Sequence, residues 1–422
     1  MNDHAMRRCI ERKREGGELT SEQWHAVVDG FMDSSVDDAQ MAALCMACVV
    51  RGMSFDEAHA LTDAMVRSGE VLAFDPSEGT VVDKHSTGGV SDIVSLAAIP
   101  TAAACGARVA KLSGRALGHT GGTIDKLEAV PGFTSQLAMQ RFEQIVRTVG
   151  CAIAAQTQAL APADKRLYHL RDHTATIPSL GLIASSILSK KIAGGAHAFV
   201  FDVKTGAAAF VPESGAALEL ARWLVQISAS FGKRATAFVT DMHQPLGRCI
   251  GSGIELIEAR DVLRDGGEGR ARELILAIAA ALVEQSGKDD AADRVERALR
   301  DGSGYRKFIE MIAAQGGDVA AMERMTTGEP FAVISTEEGY VDAIDVVELG
   351  HVGRRLSQND PLAGLRVHVQ IGDYVRKGDP LVQAFGKARA EARALSATFR
   401  ITPDPAMPPP LIYDVMTARY PQ

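Results

Sequence analysis

The chain has 422 residues, a formal net charge of -8 and 46% hydrophobic residues, enough for two or three domains with a sizeable core. No long basic run is present, which argues against a general nucleic-acid binder. No apolar run approaches ~18 residues, so no membrane span is expected.

The N-terminal "MNDHAMRRCIERKREGGELT" lacks a hydrophobic signal core, which makes the cytoplasm the expected location. Thr20 and Gln23 fit a capping box, and Trp24, Val27, Val28 and Phe31 follow at helical spacing. Cys45 and Cys48 form a lone C-x-x-C inside the apolar "MAALCMACVV", with no second Cys or His pair nearby, and read as buried helix thiols. Gly52 closes that helix, and Ser54 with Glu57 opens another. From residue 80 short β-rich runs precede glycine-rich turns and helices: "TVV", "ARVAKL", "AFVFDV" and "ATAFVT". Strand, loop and helix repeated in this way predict an α/β protein with a mostly parallel sheet. Residues 256–330 read as charged helices. "FAVIST", "GYVDAID", "LRVHVQIGD" and "PLVQAF" then predict a C-terminal α+β unit over 331–422, with "DPAMPPPL" as an extended tail.

Two glycine-rich loops carry chemistry. "DKHSTGGVSD" (83–92) joins a strand to a helix, which aims backbone N–H groups and the helix's positive end at one point. Lys84, Ser86 and Thr87 make that point suit an oxyanion, most simply phosphate. "KLSGRALGHTGGT" (111–123) repeats the device with Ser113 and Thr123. Neither loop fits a Walker or G-x-G-x-x-G pattern, which disfavours ATP and NAD. Downstream, Arg171 precedes an apolar helix carrying Ser186 and Lys190 at i and i+4. Beside an anion site this trio suits a flat heterocycle with carbonyl oxygens, walled by Ile177, Ile183 and Ile187.

Together "DKHSTGGV", "SGRALGHTGGTIDKLEAVPGF", "LRDHTATI" with "ASSILSKK", and "DVKTGAAAF" resemble the thymidine and pyrimidine-nucleoside phosphorylase family over nearly the whole chain. The resemblance implies a homodimer that reversibly cleaves pyrimidine nucleosides such as thymidine, deoxyuridine and uridine with inorganic phosphate, without an organic cofactor. It implies a helical base-binding domain (1–65 with 163–193), an α/β phosphate-binding domain (66–162 with 194–330) and the C-terminal unit. Matched residue by residue, Lys84, Ser86, Ser95, Ser113 and Thr123 would hold phosphate, with Lys111 beside them. Arg171, Ser186 and Lys190 would hold the base, and His85 would lie near the base O2 and the sugar. His85, Arg171 and Lys190 are the catalytic candidates. Some broader members bind potassium, here by match near Ser91, Ile93, Leu246, Cys249 and Glu258.

The chain departs from the family pattern at several points. Pro178 and Gly181 alter the start of the base-binding helix, His173 stands where an apolar residue is usual, and Ala116 and Ser91 replace glycines. Lys111 is the residue of broader pyrimidine-nucleoside members, where thymidine-selective ones tend to carry Met. Two other readings remain: a phosphoribosyltransferase of the anthranilate type, which uses Mg²⁺ and a pyrophosphate donor, and a nucleoside-binding protein on the same scaffold.

Overall fold

Side-chain caps set the N-terminal helices: Asn2 caps α1 (Asp3–Arg14), and reciprocal capping boxes open α2 (Ser21–Met32), α3 (Asp38–Arg51) and α4 (Phe55–Arg67). Thr20 Oγ1 accepts from Gln23 N at 3.3 Å, and Gln23 Oε1 accepts from Thr20 N at 2.9 Å. Ser54 and Glu57 form the same box at α4, and Gly52 ends α3 at φ 76°, a conformation that favours glycine. Trp24, Val27, Val28 and Phe31 form the buried stripe of α2. Cys45 and Cys48 are buried within α3, and burial pushes the Cys45 thiol up to about 11. The computed structural model describes residues 1–115, 118–119, 121–157, 159–386 and 394–418; Ala116 lies outside the described residues.

The central sheet forms from β1 (Val81–Ser86), β2 (Arg108–Ser113), β3 (Cys151–Ala155), β4 (Ala198–Thr205) and β5 (Arg234–Asp241), all parallel, in the order β5-β4-β1-β2-β3. The crossovers carry α5 (Val94–Ala104), α6 (Thr123–Leu127), α7 (Met139–Val149), α8 (Pro162–His173), α9 (Leu180–Ala193) and α10 (Ser214–Ser230). β1 and β4 are neighbours, yet the chain leaves β1 toward β2 on the other side. The loops beyond their carboxyl ends therefore diverge, leaving the crevice where open α/β sheets bind ligands. α9 joins two cores. Its Leu182 packs with α1–α4, whereas Ala184, Leu188 and Ile192 pack with the sheet layer.

After β6 (Cys249–Ile250) come α11 (Ser252–Asp265), α12 (Gly269–Gln285), α13 (Ala291–Arg300), α14 (Ser303–Ala314) and α15 (Val319–Glu323). The C-terminal part contains β7 (Pro330–Ile334), β8 (Gly339–Ile344), α16 (Val346–Asn359), β9 (Gly364–Val367), β10 (Tyr374–Val375), β11 (Pro380–Phe385), β12 (Phe399–Thr402) and β13 (Ile412–Ala418). The C-terminal α+β unit is present, with two small sheets, and it is tied to the rest of the chain at two points. β6 joins the β9-β11-β7 sheet, while β13 leaves the unit and pairs antiparallel with β5, from Ile412↔Thr240 to Ala418↔Ala235. The physical reason is that β5 would otherwise present an open edge of unpaired backbone groups.

Candidate active site

β1 is buried from Val81 to Lys84, half-buried at His85 and Ser86, and ends in the first glycine-rich loop. Ser86 Oγ donates to Asp92 Oδ2 at 2.8 Å, and Asp92 Oδ1 accepts from Val94 N at 3.1 Å, which folds the loop back onto the start of α5. Lys84 is fully buried, with Nζ 3.4 Å from Asp202 Oδ2. The same oxygen lies 2.8 Å from Lys204 Nζ, and Thr240 Oγ1 donates to Asp202 Oδ1 at 2.6 Å. Burial pushes the Asp92 carboxyl up, but Lys84, Lys204 and Lys126 together with the Ser86 bond outweigh it and hold it well below the usual range. Ser95 is buried in the first turn of α5.

The second loop leaves β2 beside the first. Lys111 Nζ donates to the Lys84 carbonyl at 2.9 Å. Lys191 on α9 pairs with Asp83 at 2.7 Å and donates to the Leu112 carbonyl at 2.9 Å. Burial, then Lys191 with Lys190 and Lys84, push His85 well below the ordinary histidine range, so its imidazole is neutral near pH 7 and offers a hydrogen bond without a charge.

Lys190 extends from α9, with Nζ 2.5 Å from Asp164 Oδ2 and 2.9 Å from Ser186 Oγ. An ammonium has three donors, so one N–H remains for a ligand. Arg171 is 1% exposed, and its guanidinium donates to the carbonyls of Thr176, Leu182 and Ile177 at 3.2, 3.1 and 2.8 Å. It clamps the segment between α8 and α9 and keeps two of its five N–H groups. The Gly181 departure has a packing reason: a Cβ there would stand 2.8 Å from Met53 Cβ and Sδ. His173 is exposed and stacks edge-on against His169, with ring centroids 4.5 Å apart.

One cavity gathers His85, Ser86, Lys111, Ser113, Thr123 and Lys190. Lys84 and Ser95 lie outside its lining, and so do Arg171 and Ser186 on the helical side. Gln156, Tyr168, Lys191 and Phe210 line it without having been singled out from the sequence. Asp164, Asp202 and Lys204 were also missed. For the last two a signal existed, because two charges inside the continuous apolar strand "AFVFDVKT" imply a buried pair.

The cation candidates lie nearby. Ser91 Oγ is buried without a hydrogen-bond partner, and Glu258 accepts from Arg248 N at 2.7 Å and Cys249 N at 2.8 Å. A Cβ on Gly247 would come within 2.7 Å of Ser91 Oγ and 2.8 Å of Glu258 Oε1, so the two groups border one small space. Burial pushes Glu258 up to about 7, by more than the backbone amides of Arg248 and Cys249 and the Arg366 guanidinium pull it back. Leu246 N donates to the Val90 carbonyl, and the Ile93 carbonyl receives Leu96 N at the start of α5. This oxygen-rich set with one carboxylate fits a hard monovalent cation. Among the described residues, no group of three or more His, Cys, Asp or Glu could hold a metal ion.

Comparison with known proteins is consistent across the chain. Family models match residues 7–69 as the glycosyl transferase family helical bundle domain and residues 78–305 as the glycosyl transferase family a/b domain. A pyrimidine-nucleoside phosphorylase of Geobacillus stearothermophilus is 41% identical, covering 96% of this chain and 98% of its own length. A thymidine phosphorylase of Mycobacterium tuberculosis is 42% identical, over 96% and 97%. The crystal structure of anthranilate phosphoribosyltransferase from Thermus thermophilus shares the fold, with TM-score 0.59 and 19% identity over 73% of this chain and 99% of its own.

Proposed function

The chain belongs to the pyrimidine-nucleoside and thymidine phosphorylase family, enzymes of reversible phosphorolysis, and from that premise we propose how its residues divide the work. One observation supports the reading above the others: the serines and threonine of both glycine-rich loops share a cavity with Lys190 on the opposite wall. Ser86, Ser113 and Thr123, with Lys84 and Ser95 behind them, receive inorganic phosphate. Lys190, Ser186 and the remaining N–H groups of Arg171 receive the pyrimidine carbonyls.

Cleavage of the C1′–N1 bond leaves negative charge on the base and cationic character on the sugar. Lys190 and Arg171 meet charge that grows in the transition state, where interaction accelerates chemistry. Neutral His85 donates a hydrogen bond near the base O2. Phosphate attacks C1′ and needs positioning more than activation. Because base and phosphate ligands sit on different walls, narrowing of the cleft brings the reactants together and excludes water.

The finer proposal extends to uridine, to a homodimer and to a cytoplasmic location. Six thiols without disulfides suit a reducing compartment, and no helix is long and apolar enough to cross a membrane among the described residues. A potassium ion would be held by the Glu258 carboxylate, Ser91 and carbonyls near Ile93, Leu246 and Cys249, supplying charge neutralisation behind the first loop.

The test is base release from a panel of pyrimidine nucleosides, with and without phosphate, after chelation of divalent metal. Free base is expected only with phosphate. Release without phosphate, or dependence on Mg²⁺ and a pyrophosphate donor, overturns the reading.

A further inference from the structure

We propose that Lys111 takes up a proton as phosphate binds, a neutral amine in the free enzyme becoming an ammonium beside the bound anion. This deepens the phosphate-site reading above and rests on it.

The geometry is a shortage of anions. Lys111 is 3% exposed, and its Nζ donates to the Lys84 carbonyl at 2.9 Å. Lys191 Nζ donates to the same oxygen at 3.4 Å, and it already holds Asp83 at 2.7 Å. Two lysine nitrogens thus share one carbonyl; of the two carboxylates that face Lys111, Asp83 is paired with Lys191 and Asp92 is taken up by Ser86 Oγ and Val94 N. The other buried carboxylates nearby are engaged as well: Asp202 with Lys84 and Lys204, and Glu255 with Lys126 at 2.6 Å. The charged or titratable groups facing Lys111 are Asp83, Lys84 and His85 from β1, Asp92 from the first loop and Lys191 from α9, while its register partner on β3, Ile153, brings no charge.

A buried ammonium without its own counter-ion is strongly disfavoured, and such a group loses its proton instead. Burial, then Lys191, push Lys111 well below the ordinary lysine range, against Asp83 and Asp92, which pull the other way. Lys111 also lines the cavity with Ser86, Ser113 and Thr123. A phosphate dianion there supplies the missing negative charge.

The step balances as follows. The Lys111 amine lone pair takes one proton, forming an N–H bond, and the resulting ammonium pairs with HPO₄²⁻. Where phosphate is chiefly dianionic, the proton comes from solvent. At lower pH the monoanion brings its own.

Phosphate is titrated calorimetrically into the intact enzyme at about pH 8, in two buffers of different ionisation enthalpy, to count protons. Wild type is expected to take up about one proton per site, and the phosphate Kd is expected to rise roughly tenfold per pH unit in the alkaline range. Lys111→Met and the permanently charged Lys111→Arg are each expected to lose the uptake; either one suffices if the other does not fold. Phosphate binding to wild type without proton uptake, or uptake retained in either variant, overturns the inference while leaving phosphorolysis standing. Absence of phosphate binding overturns the phosphate-site reading itself.

Discussion

Lys190 and Asp164 face each other at 2.5 Å across the helices α9 and α8, and Ser186 completes the contact from one turn away. The lysine proposed to meet the departing base is therefore aimed by a carboxylate that lies 4% exposed on a different helix. Asp164→Asn keeps the shape and removes the charge. Its kcat for thymidine is expected to fall about 10²-fold, the scale of a misplaced reacting group, with KM for phosphate little changed. Steady-state kinetics in both substrates check this, and an equal change in both KM values with kcat intact would show that the pair is only structural.

Lys84→Ala and Lys190→Ala are expected to fail differently. The first raises the KM for phosphate, because it strips an ammonium from beneath the first loop. The second lowers kcat by ~10²–10³, the usual loss for one donor to developing charge. Small and equal effects from both substitutions mean that the site is misassigned.

Lys111 bears on sugar preference as well. Its ammonium, once formed, can partner a 2′-hydroxyl that a Met side chain leaves unpaired, and an unpaired buried hydroxyl costs ~1–3 kcal/mol. Lys111→Met is expected to lower kcat/KM for uridine more than for thymidine, by about tenfold or greater. An unchanged ratio of the two substrates refutes it.

His85 gives a pH signature in stability. Its folded value is depressed by burial and neighbouring lysines, so below about pH 6.5 the unfolded chain binds a proton that the native imidazole refuses. Stability therefore falls as pH drops through the unfolded value toward the folded one. Thermal unfolding of wild type and His85→Gln between pH 7.5 and 5.5 tests this: the variant should lose less Tm on acidification than wild type, and parallel curves exclude the effect.

Gly181 and Met53 form a matched pair. Gly181→Ala drives a Cβ to within 2.8 Å of Met53 and is expected to cost ~1–3 kcal/mol by overpacking. Met53→Ala in the same chain should recover part of that loss. Denaturant titration of the two single variants and the double variant gives the coupling, and additive effects would remove the packing explanation.

Much of this architecture is written locally in the chain. Caps such as Thr20 with Gln23, and strands such as "AFVFDV", follow from neighbouring residues alone, and both glycine-rich loops declare an anion site by their polar dressing. β3 escapes because "CAIAA" is short and small, with one β-branched residue. β13 escapes because pairing with β5 is a long-range choice invisible to periodicity. Arg171 shows the same limit in chemistry: its spacing says that it lies near Ser186 and Lys190, but not that three backbone carbonyls claim its donors.

The pairing of β13 with β5 has a consequence for biogenesis. All of β6–β12 is synthesised between the two partners, so a nascent chain holds its parallel sheet with one flank exposed for most of the time that the later residues take to emerge. Contacts this distant in sequence form slowly, and an uncovered strand flank is a template for intermolecular pairing. Substituting proline for Val415, which pairs with Phe238 in the middle of β13, would therefore injure the yield of soluble protein during synthesis more than the chemistry of molecules that have already folded.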